Sequence, residues 1–168
     1  GYEYLNRLNG LFVAGENEPA LTALYGEFVG RVRRVEDLVY RNKKLILRAA
    51  LASELNVLAY LLDRISEDNR RFRDFTLGSL TDALREIVAC FPVYRTYIDA
   101  HAGHLAVRDR EFVDWAIRAA IRRNPATSRT VFEFVRNILL LRWSDDLTAE
   151  ARDQHARFVM KFQQLTGP

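Results

Sequence analysis

Two histidines near the middle of the chain have the residue type and spacing to bind a metal ion. His101 and His104 are three positions apart, and Asp99 precedes them. Zinc in proteins takes three or four ligands. The pair lies in a stretch that contains Gly103 and has no supporting cysteine, so solvated loop histidines are the preferred interpretation. We therefore predict no metal site here.

For the other residues with catalytic potential, the surrounding sequence predicts structural roles. Cys90 lies in an apolar run, where a buried, inert thiol is expected. His155 is in step with the apolar face of the last predicted helix, which indicates a partly buried core histidine. Seven carboxylates lie beside arginines in predicted helices or caps, and surface or interhelical salt bridges are expected for nearly all of them: Glu54, Asp63, Asp74, Glu86, Asp109, Asp114 and Glu133. No Gly-x-Ser-x-Gly motif and no glycine-rich phosphate loop occurs, so no catalytic residue is predicted.

The stretch from Phe91 to Ile98, FPVYRTYI, combines tyrosine, arginine and an extended pattern. Its last six residues alternate apolar and polar, and alternate side chains of an extended segment share a face. The alternation predicts two faces: Tyr94, Thr96 and Ile98 on one side, and Val93, Arg95 and Tyr97 on the other. Tyrosine and arginine together can stack on a sugar ring and hydrogen-bond its hydroxyls. From the residues alone, a tyrosine-rich connection packed on the helices is the preferred alternative.

Helices must position this segment, and the longest is predicted from Val35 to Ile65. This range contains no glycine or proline that would break a helix. Its apolar residues recur every three or four positions: Leu47, Leu51, Leu55, Leu58, Leu62 and Ile65. Residues 1–17 show no sustained period, and glycine and asparagine predict a loop.

Caps and breakers predict five further helices. They run from Pro19 to Gly30, from the Thr76 cap to before Pro92, from Arg108 to Asn124, from a Ser128 or Thr130 cap through Ile138, and from the Thr148 cap to Gly167. Thr130 with Glu133 matches a capping box. The predicted fold is all-α, an irregular orthogonal array of about six helices around one long central helix, with an extended segment near residues 93–98.

Composition and charge exclude several classes of protein. The chain has 168 residues, of which 49% are hydrophobic and 28% charged, as in an ordinary globular domain. No apolar run approaches the ~20 residues that span a bilayer. The start of the chain lacks the pattern of a signal peptide, and the single cysteine fits a reducing compartment. We expect a soluble, cytoplasmic chain that does not bind membranes.

The net charge of +3 does not by itself indicate nucleic-acid binding. Lysine occurs only at positions 43, 44 and 161, so arginine accounts for 22 of the 25 basic residues. These arginines are scattered among 22 acidic residues, whereas a nucleic-acid surface gathers its positive charge on one face. We therefore expect no nucleic-acid partner.

Four stretches of the chain are long and distinctive. They are residues 1–13 (GYEYLNRLNGLFV), 52–58 (ASELNVL), 89–98 (ACFPVYRTYI) and 158–168 (FVMKFQQLTGP). In this order they resemble the maltooligosyltrehalose synthase family of the α-amylase superfamily. The loop around His101 and His104 does not match that family, which further weakens a metal site.

The resemblance implies an activity for a larger parent protein. The family converts the reducing-end α-1,4 bond of a maltooligosaccharide into an α,α-1,1 bond, without a cofactor, by intramolecular transglycosylation. Such retaining chemistry uses a carboxylate nucleophile, a carboxylic acid and a supporting aspartate. In the family the first two precede the first stretch, and the third follows the last one. The resemblance thus implies that residues 1–17 are a junction and 18–168 a helical insertion in a TIM-type barrel, inactive alone.

The resemblance also implies which residues face the substrate. An insertion that walls the cleft would exclude water and hold the released glucose for attack. The expected sugar-facing group is Tyr94, Arg95 and Tyr97, with Tyr2, Lys161 and Gln164 as further candidates near the barrel junctions. The implied partners are a maltooligosaccharide and the catalytic barrel of the same protein. Two other classes stay open: a stand-alone helical interaction module and a basic nucleic-acid-binding domain.

Overall fold

The computed structural model describes residues 2–30, 34–144 and 146–167. Over these residues it contains eight α-helices and no strand, which confirms the all-α class. The helices are α1 Tyr2–Gly10, α2 Glu18–Val29, α3 Val35–Ala49, α4 Ala52–Glu67, α5 Leu77–Ala89, α6 Val107–Arg123, α7 Arg129–Leu139 and α8 Ala149–Thr166. A single 3₁₀ turn, Gly15–Asn17, precedes α2.

The chain divides into two compact units, residues 1–38 and 39–168. In the first unit none of the described residues is buried, and many large apolar side chains are exposed. The predicted loop over residues 1–17 is wrong at its start, because α1 is helical. Glu3 and Arg7, one turn apart on α1, form a 2.8 Å ion pair that favours the helix locally. The helix predicted from Pro19 to Gly30 is confirmed as α2, and Gly30 ends it in the left-handed conformation.

The core of the chain lies in the second unit. Helix α5 packs against α4, α6 and α7, while α8 packs against α4 and α7. Each of these helices contributes an apolar stripe, and the predicted stripe residues Leu55, Leu58, Leu62 and Ile65 are all buried. The short central helix α5 thus contacts three neighbours.

The prediction of one helix from Val35 to Ile65 is wrong. The segment forms α3 and α4, which are bent by 86° at a short break around Leu51. No glycine or proline lies at the break, so its cause is tertiary: Lys44 of α3 pairs with Glu86 of α5, while α4 lies against α5 and α8. Packing of this kind overrides the weak helical preference of individual residues.

Within the described ranges, no single helix is long and apolar enough to cross a membrane. Only the bent pair α3 and α4 meets the length and composition criteria together.

The helix caps are largely as predicted. Thr76 and Thr148 cap α5 and α8, each accepting a backbone N–H from the first turn. Ser128 caps α7 and accepts the N–H of Thr130 at 3.4 Å. The capping box of Thr130 with Glu133 is wrong, since Thr130 already lies inside the helix.

Candidate functional site

The extended segment that follows α5 is held in place by two buried side chains. The amide of Gln163, on α8, accepts the N–H of Ile98 at 2.6 Å and donates to its carbonyl at 3.0 Å. Asp109, in the first turn of α6, accepts the N–H of Tyr97 at 3.0 Å. Gln163 therefore satisfies both backbone groups of Ile98, as a neighbouring strand would. The sequence did not reveal either anchor.

The predicted alternation of side chains holds for the second half of the segment only. Thr96 and Ile98 are buried, and Tyr97 is exposed. Tyr94 was predicted on the side of Thr96 and Ile98, but it is 69% exposed. The backbone bends at residues 93–94, which separates Tyr94 from the regular alternation. Because of that bend, Tyr94 and Tyr97 are both accessible.

Arg95 and Tyr97 lie on the same side of the segment, as predicted. The guanidinium carbon of Arg95 is 5.0 Å from the centroid of the Tyr97 ring, within the range of a cation–π contact. The Nε of Arg95 also donates to the Thr96 carbonyl at 3.4 Å. The pair forms a partly exposed surface with an aromatic face and guanidinium donors, which suits a sugar ring and its hydroxyls.

Tyr94 packs over the C-terminal end of α8. A β-carbon placed on Gly167 would lie 3.5 Å from the Tyr94 ring and 3.5 Å from the Gln164 carbonyl. Glycine at this position therefore lets the tyrosine approach the helix end closely. The Tyr94 ring thus lies beside the end of α8, about one helical turn past Gln164 along that helix.

Lys161 and Gln164 line a groove between α4 and α8, which we call the α4–α8 groove. Its volume is about 250 Å³, and its lining residues are Leu51, Ser53, Glu54, Val57, Leu58, Lys161, Gln164 and Leu165. Four of them are polar and four are apolar. Ligand pockets usually start at about 300 Å³, so a groove of this size would hold only part of a larger ligand.

Three of the four stretches that carry the family resemblance meet around the second half of α8. The last stretch contains Lys161 and Gln164, which share the α4–α8 groove with Ser53 and Glu54 of the second stretch. The third stretch is bonded to Gln163 and also packs on α8 through its phenylalanine ring. The structure thus brings together segments that lie far apart in the sequence. The first stretch and Tyr2 belong to the other unit, where Tyr2 is 87% exposed on α1.

A second polar cluster joins α3, α5 and the end of α6; it confirms the salt bridge predicted for Glu86, whose partner is Lys44, but the cluster as a whole was not predicted. Glu86 is 8% exposed and accepts hydrogen bonds from Lys44, Tyr40 and, at 2.9 Å, Asn124. Burial alone would raise the pKa of Glu86, but these hydrogen bonds outweigh burial and hold the pKa below its usual value. The guanidinium of Arg123 lies 4.3 Å from the centre of the Tyr40 ring. The spacing of Tyr40 and Lys44, one turn apart on a single face, was the available signal.

Cys90 and His155, two other residues with catalytic potential, lie in surroundings typical of structural residues. Cys90 is buried, as predicted, and burial raises the pKa of its thiol to about 11. His155 is half-buried, with Nδ1 at 2.7 Å from the Ala151 carbonyl, and burial lowers its pKa. The predicted core histidine is confirmed.

The loop histidines lie beside a backbone bridge. Asp99 and His104 exchange two backbone hydrogen bonds of 3.0 and 2.9 Å, which close the loop, and both histidine side chains are exposed. Among residues 2–30, 34–144 and 146–167, no three histidine, cysteine, aspartate or glutamate side chains form a metal-binding group.

No family model, no curated protein and no solved structure matches this chain.

Proposed function

We propose that this chain is a helical insertion of a maltooligosyltrehalose synthase and forms one wall of its active-site cleft. The observation that supports the proposal most strongly is the meeting of three family-like stretches around the second half of α8. They place the Arg95–Tyr97 pair, Tyr94 and the α4–α8 groove on segments that contact the same helix. Folding alone does not require the exposed members of this set, since exposed side chains contribute little to stability.

The proposed wall has two tasks in the reaction. The Arg95–Tyr97 surface stacks on a glucose unit, and the polar side chains of the α4–α8 groove bind hydroxyls of a neighbouring unit. Keeping the released glucose in place lets its anomeric hydroxyl attack the glycosyl intermediate. Covering the cleft keeps water away, so the bond is rearranged instead of hydrolysed. The two carboxyl groups of a retaining enzyme, about 5 Å apart, belong in this proposal to the barrel.

The first experiment tests the activity of the complete protein that contains this chain. The full reading frame is expressed and incubated with maltopentaose, and the non-reducing trehalose-type product is measured by chromatography. We expect product from the complete protein and none from residues 1–168 alone. A complete protein that leaves maltopentaose unchanged, under conditions where it is folded, would overturn the proposal.

The second experiment tests the wall itself. In the complete protein, Arg95→Ala and Tyr97→Phe each remove one hydrogen-bonding partner of the sugar, and we expect a loss of transition-state binding of ~1–3 kcal/mol. The ratio of trehalose-type product to free glucose should fall, because water reaches the intermediate. Arg71→Ala is the matched control, since Arg71 makes a similar cation–π contact, at 5.5 Å from Phe72. If rate and product ratio are unchanged in both variants, the segment is only a structural connection.

One observation favours the alternative of an interaction module. The first unit exposes large apolar side chains such as Phe12 and Phe28, which are 84% and 90% exposed. Surfaces of this kind commonly mark contacts with another protein region. In the insertion proposal, the barrel of the same protein covers them. Isolation of the complete protein in a stoichiometric complex with another chain, without sugar-rearranging activity, would favour the module instead.

A further inference from the structure

A second groove, between α3, α5 and α8, is mostly apolar, and none of the candidate sugar-binding residues lines it. We call it the Lys43 groove. Its volume is about 280 Å³, and its apolar lining consists of Val39, Ile46, Leu47, Leu51, Val88 and Leu165. It shares only Leu51 and Leu165 with the α4–α8 groove. The small volume and apolar lining favour a small uncharged ligand over a sugar or an anion.

Lys43 is the basic residue among those that line this groove. Its amine is half-buried and donates a hydrogen bond to the Phe91 carbonyl at 2.9 Å. Burial lowers the pKa of Lys43, so more of its amine is uncharged and nucleophilic near neutral pH. The next residue, Lys44, forms an ion pair with Glu86. Burial would lower the pKa of Lys44, but hydrogen bonds with Glu86 and Tyr40 outweigh it and raise that pKa.

Apart from Lys43, the residues that line this groove carry no charge. Cys90, at the end of α5, is uncharged at pH 7 because burial raises the pKa of its thiol to about 11. Asn42 from α3 and Thr166 from α8 are polar and uncharged. A lysine here differs from an arginine in one chemical respect, because arginine stays protonated and does not form an imine. In this chain 22 of 25 basic residues are arginine, yet the residue in this apolar groove is lysine.

We propose that the Lys43 groove binds a small apolar aldehyde, whose carbonyl carbon forms an imine with Nζ of Lys43. The uncharged amine attacks the carbonyl carbon and gives a carbinolamine, with one proton moving from nitrogen to oxygen. Loss of the hydroxyl group and the remaining N–H proton as water then leaves the C=N bond. The step needs no oxidant or reductant, and hydrolysis reverses it. This site does not depend on the proposed sugar chemistry.

The three lysines of the chain make the test direct. The 168-residue chain is treated with hexanal and sodium cyanoborohydride, which traps an imine as a stable secondary amine, and peptides are mapped by mass spectrometry. We expect the initial rate of labelling at Lys43 to exceed the rates at Lys44 and Lys161 several-fold. Glyceraldehyde, which has the same reactive group without an apolar body, should show a smaller preference, because only the lower pKa of Lys43 then favours that residue. Equal rates at the three lysines with hexanal would overturn the proposal.

Variants separate binding in the groove from simple amine reactivity. Val39→Ser makes one partly exposed wall of the groove polar and should lower the hexanal rate at Lys43 several-fold, without changing the glyceraldehyde rate. Leu45→Ser is the control, because Leu45 is exposed on the same helix and does not line the groove. Labelling at Lys43 should also persist to lower pH than labelling at Lys44. The proposal is wrong if both serine variants behave alike, or if the two lysines share one pH profile.

Discussion

Replacing Gln163 by leucine tests whether one buried amide holds the extended segment. Leucine is similar in volume, so the change removes hydrogen bonds and leaves little cavity. The Ile98 N–H and carbonyl, which are 2.6 and 3.0 Å from the amide, would lose their partners. Ile98 is only 2% exposed, so water cannot readily replace them. An unsatisfied buried group costs ~1–3 kcal/mol, so the two together cost roughly 2–6 kcal/mol. That loss is a large fraction of the 5–15 kcal/mol by which a domain is typically stable.

The neighbouring glutamine provides the control. Gln164 is exposed, so Gln164→Leu should change the free energy of unfolding by no more than about 0.5 kcal/mol. Both variants are measured by urea denaturation followed by far-UV circular dichroism, and unchanged slopes show that stability itself has changed. On the proposed function, Gln163→Leu in the complete protein should also lower the trehalose-type product fraction, since Tyr97 would lose its position. The reasoning fails if the two variants differ by less than about 1 kcal/mol, because other contacts would then hold the segment.

Three further predictions concern stability. Hydrogen bonds hold the pKa of Glu86 below its ordinary 4.5, so its stabilising effect is complete above pH 4.5 and is lost as pH falls through the lower folded pKa. Urea denaturation should therefore show Glu86→Gln less stable than the parent at pH 7, with a difference that shrinks in acid; a constant difference would contradict this. In the same assay, Leu62→Ala should lower the free energy of unfolding by about 2–5 kcal/mol, because Leu62 is fully buried. Val57→Ala, at a half-exposed position, should lower it much less. Equal losses for the two variants would contradict the burial of Leu62 in the core. Asp109→Ala should lower the free energy of unfolding more than Asp109→Asn, because asparagine keeps an acceptor for the Tyr97 N–H. Similar losses for both variants would show that this hydrogen bond contributes little to stability.

Much of the fold could be predicted because the signals are local. Thr76 and Thr148 cap helices through bonds to residues three positions away, and such bonds depend only on nearby sequence. Apolar residues at helical spacing are buried on both sides of the break near Leu51, as Leu47 and Leu55 show. Each helix turns its apolar face to the core, whether or not the two helices are continuous. The break itself was missed because it depends on packing, and no breaker residue marks it. The helix α1 was missed because its asparagines and glycine predict a loop, although Tyr4, Leu5 and Leu8 lie at helical spacing.

The candidate site shows the same division. Tyrosine and arginine types, and the alternation that places Arg95 beside Tyr97, could be predicted from neighbouring residues. The bend before Arg95 that exposes Tyr94 could not, because it depends on how the segment meets the end of α8. The polar cluster around Glu86 was likewise absent from the predicted site.

The sequence by itself determined the helical class, most caps, the buried stripes and the residue types available for chemistry, because each depends on contacts within a few positions of the chain. Only the tertiary structure decided which distant residues meet. Gln163 reaches Ile98 across 65 positions, and Lys44 reaches Glu86 across 42. Contacts at such separations depend on the directions of whole helices, which follow from packing of all their buried faces at once, and no local pattern encodes them.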